Sequence, residues 1–401
     1  MAKKNDTLRN ANKAKNDEFY TQYEDIQREI NAYLEYNPNV FRDKIVLLPC
    51  DDPEWSNFTR FFAQNFENLG LKKLISTSYS ANSKKNKYGQ NIGYEQLSLF
   101  DITDFEFNSP NYNDKKTHEN GKIFVLERDV DNSHTIDIND LQWKYLDGDG
   151  DFRSDEVKKL RDESDIIVTN PPFSLFREFV AWILEGNKNF LIIGNQNAIT
   201  YREIFPLLRD NKMWIGKRFN ERINGLNMTF AVPDSYPLTG TENFISADGK
   251  KYISVAGTGW FTNIEHGRRH QPLSLMTMDD NIKYSKHAEV RNVGYRKYYN
   301  YDAIDVPYTD AIPSDYEGDM GVPVTFLKYH CPEQFEIIGL GISNSGIEIG
   351  VKGYTEEHKN YRKLVQKKGA VDGDLYMLDE NGHPEVPYAR IIIRKKENYG
   401  N

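Results

Sequence analysis

The chain has 401 residues, 38% of them hydrophobic, enough to bury a sizeable core and to hold a catalytic domain with one extension. No apolar run approaches membrane-spanning length and the Lys/Asn-rich start has no apolar centre, so neither a membrane anchor nor a signal peptide is expected, and the reading is a cytoplasmic protein. The two cysteines, Cys50 and Cys331, lie far apart; they argue against a disulfide framework and give no zinc spacing, so no metal is expected.

Residues 1–16 are polar and charged and read as a flexible basic arm. From Glu18 to Tyr36, Phe19, Tyr23, Ile26, Ile30 and Tyr33 recur at helical spacing, which predicts a helix feeding a first strand at 44–48. A helix over 57–66 follows, with Phe58, Phe61, Phe62 and Phe66 inward, and then a strand at 74–77. Residues 80–120 lack periodicity and read as loop or hairpin. Next come a strand at 124–128, a helix at 154–160, a strand at 165–169, a helix at 175–184, a strand at 190–194, a helix at 200–208 and a strand beginning at 213–216. Strands alternating with helices imply the α/β class: a doubly wound, mostly parallel sheet with ligands at the carboxyl ends of its strands, where Cys50, Asp151 and Asn170 should meet. The second half has short alternating strands, at 226–232, 251–255, 258–264, 322–328, 335–340 and 388–394; residues 260–264 are expected to return to the sheet as its last strand. The organisation that follows is an arm over 1–16, an α/β domain over 17–267, and a mixed α+β region over 268–401.

One junction carries most of the chemistry. Ile166-Ile167-Val168 reads as a strand buried on both faces, and it stops at Asn170-Pro171-Pro172-Phe173. Pro171 has no N–H for a ladder bond, and both prolines fix φ, so the strand ends here and the loop is stiff. The Asn170 amide oxygen and the carbonyl between the prolines can both accept from one amino group, while Phe173 offers a ring face. The socket suits an exocyclic NH2 on a flat heterocycle. Drawing its hydrogens out of the ring plane leaves lone-pair density for attack on a sulfonium methyl, with positioning and electrostatics supplying most of the rate.

Asn-Pro-Pro-Phe after such a strand resembles the catalytic motif of S-adenosylmethionine-dependent amino-group methyltransferases, which have a Rossmann-like fold. Asp17-Glu18-Phe19-Tyr20-Thr21-Gln22, Cys50-Asp51-Asp52-Pro53, Gly148-Asp149-Gly150-Asp151-Phe152-Arg153 and Trp260-Phe261-Thr262-Asn263 extend the likeness, and from Asn12 onward the chain resembles the EcoRI-type adenine-specific DNA methyltransferases. The resemblance implies that Asn170, Pro171, Pro172 and Phe173 are catalytic. It implies that Phe19, Tyr20 and Thr21 cover the methionine part of the cofactor, and that Asp51 or Asp52, beside Cys50, accepts its ammonium group. It further implies that Asp149 or Asp151 holds the cofactor's adenine amino group, with Phe152 on the ring. Two departures stand out: no Gly-x-Gly follows the first strand, and the second strand ends without an acidic residue for the ribose, so Thr77, Ser78 or Tyr79 is left to substitute. Each residue also has a structural reading. Asp52 and Ser56 favour a helix N-terminus, Asp151 can cap the helix at 154, Phe19 and Tyr20 can be core, Cys50 can be a packed small residue, and Ser174 should cap the helix at 175.

The resemblance implies sequence-specific methylation of adenine N6, with the target base flipped out of duplex DNA and stacked on Phe173. Duplex DNA is then the partner, alongside a possible cognate restriction endonuclease acting on the same site without a physical complex. A net charge of −9 sits awkwardly with phosphate contacts. Local basic clusters offset it: Lys217, Arg218 and Arg222; His266, Arg268, Arg269 and His270; Arg291, Arg296 and Lys297; Arg362, Lys363, Lys367 and Lys368. Competing readings are methylation of cytosine N4, RNA or protein glutamine, and a methyltransferase-like DNA-binding module without catalysis.

Overall fold

The computed structural model describes residues 20–51, 56–80, 109–219, 221, 227–232, 238, 243–246 and 249–396. The chain divides into two units, one holding residues up to Ala198 with Ile215–His266, the other Ile199–Trp214 with everything from Gly267.

The strands and principal helices run β1 (Tyr20–Thr21), α1 (Tyr23–Tyr36), β2 (Ile45–Leu48), α2 (Asn57–Gln64), β3 (Lys73–Ser78), β4 (Lys122–Leu126), β5 (Gln142–Tyr145) and α3 (Asp155–Glu163). They continue with β6 (Ile166–Thr169), α4 (Phe176–Glu185), β7 (Asn189–Asn195), β8 (Trp214–Phe219), β9 (Thr229–Val232), β10 (Phe244–Ile245), β11 (Lys251–Ser254) and β12 (Thr258–Thr262). An eight-stranded sheet has the order β5-β4-β3-β2-β6-β7-β12-β8. Its centre, β3-β2-β6-β7, is parallel, with Val46 opposite Ile166 and Thr169 opposite Ile192. Strands β4 and β5 on one side and β12 on the other add antiparallel.

Every residue of β2 and β6 is buried, as a strand covered on both faces requires. Neighbouring residues of β12 mark the two faces: Trp260 meets Phe58 of α2 at 5.8 Å, while Phe261 meets Phe176 of α4 at 5.2 Å. Helices α1 and α2 pack Ile26, Ile30, Phe58 and Phe62 onto Val46, Leu48, Ile166 and Val168. The doubly wound α/β sheet expected from the sequence is therefore present, and Cys50, Asp51 and Asn170 follow the carboxyl ends of its parallel strands β2 and β6.

Several elements differ from expectation. Residues 260–264 do return to the sheet as its last strand in chain order, but the strand is Thr258–Thr262 and β8 lies outside it at the edge. The helix expected over 18–36 starts at Tyr23, while Tyr20 and Thr21 pair with Ala231 and Phe230 of β9; Glu18 and Phe19 lie outside the described residues. In the second unit the strand expected at 322–328 is Asp319–Pro323, after which Val324–Tyr329 coils into 3-10 turns, since Pro323 lacks a ladder N–H. The helix expected at 200–208 is Phe205–Arg209, with a proline in its first turn.

In the second unit, β13 (Ala303–Asp305), β14 (Asp319–Pro323), β15 (Phe335–Leu340) and β18 (Arg390–Lys395) form a mixed sheet in the order β13-β14-β18-β15. A hairpin of β16 (Met377–Leu378) and β17 (Pro384–Glu385) accompanies it. Arg390 pairs with buried Asp305 at 2.8 Å, and Tyr298 donates to the same carboxylate at 2.5 Å.

A buried charge network ties α1 to β8. Arg218 pairs with Asp25, while Glu29 accepts the amides of Lys217 and Arg218 at 2.8 Å each and the Tyr33 hydroxyl at 2.9 Å. Burial pushes the Glu29 carboxyl up to about 7 and raises Asp25 as well. Arg218→Ala strands the buried Asp25 charge and should cost about 3–5 kcal/mol in urea denaturation, whereas an exposed lysine changed to alanine should cost under about 1 kcal/mol.

Candidate active site

Strand β2 runs into Pro49-Cys50-Asp51, and that turn is held from three directions. The Asp51 carboxylate is buried: Oδ1 accepts the Ser56 hydroxyl at 2.7 Å and Oδ2 accepts the Thr169 hydroxyl at 2.5 Å. The Asp51 carbonyl accepts the Thr59 hydroxyl at 3.2 Å and that of Ser76, and the Pro49 carbonyl accepts the Thr77 hydroxyl at 2.9 Å. Ser56 also caps α2, accepting the Phe58 amide at 3.1 Å. Thr169 is the last residue of β6, so the residue carrying Asp51's second hydrogen bond is bonded to Asn170.

After Thr169 the chain enters Asn170-Pro171-Pro172-Phe173. Asn170 and Phe173 are half-buried, and Pro171 is buried. The Pro172 carbonyl accepts the Leu175 amide at 2.9 Å, closing a 3-10 turn over Phe173–Leu175. The Pro171 carbonyl accepts no hydrogen bond among the described residues. Phe173 is half-buried and packs against the hydrophobic core. The two acceptors and the ring face expected of the socket thus sit on a short, stiff segment.

The other walls come from three loops. Asn57 donates to the Thr21 carbonyl at 2.7 Å, which sets β1 beside the start of α2. The Thr21 and Ser78 side-chain oxygens are buried without a hydrogen-bond partner among the described residues. Ser78 ends β3, against the loop Gly148–Arg153: the Ser80 amide donates to the Asp149 carbonyl at 2.9 Å, and a Cβ on Gly150, at φ +86°, would lie 2.2 Å from the Ser78 carbonyl oxygen. Only glycine permits that approach. Asp151 holds Arg153 through both carboxylate oxygens, at 2.9 and 2.6 Å, and this hydrogen bonding drives the guanidinium pKa higher still. Asp149 is exposed and accepts the Asp151 amide at 3.1 Å through Oδ1 only.

A family model described as adenine-specific methyltransferase EcoRI matches residues 7–396. The chain is 40% identical over 392 residues to the Type II methyltransferase M.EcoRI of Escherichia coli, across 98% of this chain and 97% of the relative. It is 36% identical to M.MpnI of Mycoplasma pneumoniae over 82% of this chain and 83% of the relative, and 34% identical to M.MgeORF184P of Mycoplasma genitalium over 96% and 98%. The chain belongs to the EcoRI family of adenine-specific methyltransferases. No solved structure matches it.

Within this methyltransferase the expected site residues separate into groups. Thr21, Cys50, Asp51 and Asn170 through Phe173 lie on β1 or at the carboxyl ends of β2 and β6, linked through Asn57, Ser56 and Thr169. Phe19, Asp52 and the Tyr20 side chain lie outside the described residues. Phe152 departs from expectation: it is fully buried, with Phe179 at 5.0 Å and Trp182 at 5.6 Å, so it anchors the loop and has no ring face for an adenine. Ser174 lies inside the 3-10 turn, and Leu175 is the N-cap of α4. Sequence reading missed the bracket of Ser56 and Thr169, because a threonine closing an apolar run looks like one more strand former.

The basic clusters also divide. Arg218, Arg269 and Arg362 are buried and committed internally; Arg269 stacks 3.9 Å from the Trp214 ring centroid and donates to Asn211 at 2.9 Å. Buried His266 contacts the Ile215 carbonyl at 3.0 Å, and Arg296 pairs with Glu385 at 2.7 Å. Lys3, Lys4, Arg9, Lys13, Lys15 and Arg222 lie outside the described residues. Elsewhere, carboxylates of Asp129, Asp131 and Asp140 gather within 4.8 Å, but their oxygens accept amides of Val130, Ser133, His134 and Asp137, stapling the loop before β5. No helix among the described residues is long and apolar enough to cross a membrane.

Thr169→Val removes one donor from a buried carboxylate and should lower stability by roughly 1–3 kcal/mol in urea denaturation, whereas Thr169→Ser should stay near wild type. Equal stability of the valine variant would remove Thr169 from the bracket.

Proposed function

We propose that this enzyme transfers a methyl group from S-adenosylmethionine to the exocyclic amino nitrogen of an adenine flipped out of a specific duplex DNA sequence. The observation that carries the reading is the juxtaposition of the Asn170–Phe173 socket with the Asp51 turn, one residue apart through Thr169. The residues present suit the cofactor. Buried Asp51 can accept an ammonium group on lone pairs left by the Ser56 and Thr169 hydroxyls, and the Thr21 and Ser78 hydroxyls have hydrogen-bonding capacity to give a ligand. Ser78 takes the ribose side, since the Thr77 hydroxyl is committed to Pro49. Between the two candidate carboxylates, Asp149 is assigned to the cofactor's adenine amino group, because Asp151 grips Arg153 with both oxygens.

When bound, the cofactor supplies an electrophilic sulfonium methyl. The protein's part is positioning. The Asn170 amide oxygen and the Pro171 carbonyl each accept one hydrogen of the target amino group, and Phe173 stacks on the purine. Held this way, the nitrogen lone pair points out of the ring plane, and a near-attack distance of about 3–3.5 Å permits in-line displacement. With the cofactor bound, methyl transfer would form the C–N bond as the S–C bond breaks and would leave a neutral thioether. The alkylated nitrogen is far more acidic than the amine and loses its proton late, so no strong base is required. Extruding the base costs a few kcal/mol, which stacking on Phe173 and phosphate contacts offset.

The region from Gly267 onward is assigned to target recognition, where arginine or lysine reads guanine and asparagine or glutamine reads adenine in the major groove. The Type II relatives favour a partner nuclease that cuts the same sequence without forming a complex with this chain.

Labelled S-adenosylmethionine incubated with the protein and duplex DNA, RNA or protein should deliver label to adenine N6 of duplex DNA. Label confined to cytosine, RNA or glutamine would replace this reading with another amino-group methyltransferase. Asn170→Ala should cut the methylation rate by about 100-fold or more while leaving cofactor affinity near wild type by calorimetry. Ser78→Ala should weaken cofactor binding by roughly 3- to 10-fold, the equivalent of one hydrogen bond, with little change in the rate at saturation.

A further inference from the structure

In the second unit, helix Glu356–Asn360 runs directly into a wide turn, Tyr361–Val365, in which the Gln366 amide donates to the Tyr361 carbonyl five residues back at 3.1 Å. The next wrap is wider still, with the Lys368 amide on the Arg362 carbonyl at 3.0 Å and Lys367 held at φ 54°. The helix therefore ends in a widened turn closed by a left-handed residue, a C-terminal stop that fixes the path of the chain.

The base of the turn is fixed. Buried Arg362 donates to the Gly369 carbonyl at 3.2 Å and to Gln366 Oε1 at 2.9 Å, and Gln366 donates onward to the Pro384 carbonyl at 3.0 Å. Tyr361 stacks on His383 with centroids 4.0 Å apart. Its crest is the reverse of a buried element: Leu364 is 66% exposed and Val365 62%, ringed by exposed Lys363, Lys367 and Lys368. Those three lysines form no ion pair among the described residues, and nearby Asp372 is already taken by Lys359 at 3.0 Å. Two adjacent exposed apolar side chains flanked along the chain by three exposed lysines match one kind of surface well, a duplex groove in which sugar faces and thymine methyls lie between rows of phosphates.

We infer that residues 361–368 form a DNA-seating knob, with Lys363, Lys367 and Lys368 on phosphates and Leu364 and Val365 against sugar and base edges in the groove. The inference rests on the DNA reading above and adds a specific contact element to it. A protein partner or a second copy of the chain could cover the apolar crest, but neither uses the lysine collar as a polyanion does.

The test uses the full chain, a random-sequence duplex pool and titrations at several salt concentrations. Lys363→Gln/Lys367→Gln/Lys368→Gln should weaken binding and flatten the dependence of log K on log salt by about 0.9 for each phosphate that is no longer neutralised. Leu364→Ser/Val365→Ser should weaken binding several-fold with the salt slope unchanged. Both variants should bind S-adenosylmethionine and unfold as the wild type does, since all five side chains are exposed. Wild-type affinity and slope in both variants would overturn the knob, as would a change confined to oligomeric state by light scattering. If the wild-type chain itself neither binds nor methylates duplex DNA, the underlying DNA reading falls with it.

Discussion

The buried Asp51 carboxylate takes the Ser56 hydroxyl on one oxygen and the Thr169 hydroxyl on the other, and so joins the turn after β2 to the start of α2 and the end of β6. A carboxylate out of water needs its hydrogen bonds, because an unmet one costs far more than a met one contributes. That asymmetry makes the bracket obligatory rather than decorative. Doubly wound sheets commonly bring a ligand close to the first turn with glycines, which let backbone approach backbone. Here the turn is shaped from outside, by hydroxyls of Thr59, Ser76 and Thr77 on the Asp51 and Pro49 carbonyls. The missing glycine turn is therefore a substitution of one construction for another.

Stiffness then passes from that point to the socket. Thr169 is pinned by its hydroxyl, Pro171 and Pro172 restrict the next two φ angles, and the Leu175 amide closes onto the Pro172 carbonyl. Asn170 thus sits between a pinned strand end and a stiff proline turn. On the far wall, Gly150 does the equivalent work by letting the Asp149–Asp151 loop lie against the Ser78 carbonyl. Phe152 completes it from inside the fold, where its ring is clamped by Phe179 and Trp182. A residue whose family likeness suggested contact with the cofactor is instead the buried anchor of the loop that carries Asp149 and Asp151.

What could be read in the sequence was what depends on neighbours in the chain. The apolar runs of β2, β6 and β7 announce buried parallel strands, and Asn170-Pro171-Pro172-Phe173 carries its geometry in its own residue types. Long-range pairing was invisible. Arg218 and Asp25 are 193 positions apart, so nothing in Lys217-Arg218 distinguishes a structural ion pair from a phosphate contact. The edge strand β5 alternates exposed and buried residues over only four positions, too few to establish a period, and the edge strand β8 gives two of its amides to Glu29, a carboxylate far away in the chain. Thr169 reads as a strand residue, and only its hydrogen bond to Asp51 marks it as part of the bracket, while Ser78 stands out from its neighbours Thr77 and Tyr79 only through a buried side-chain oxygen.

The same division bears on how an acidic chain can act on DNA. A net charge of −9 opposes the approach of a phosphate backbone, although exposed charges are screened beyond about 10 Å at 0.1 M salt. Arg218, Arg269, Arg362 and Arg390 are spent on interior partners and add nothing to the field a duplex meets. Attraction must come instead from cations standing clear of the body, within a screening length of the phosphates and far from the carboxylates behind them. Non-specific affinity is then modest, and most of the discrimination between sequences falls to short-range contacts in the groove. Such a balance suits an adenine-specific methyltransferase that has to pass many adenines before it modifies one.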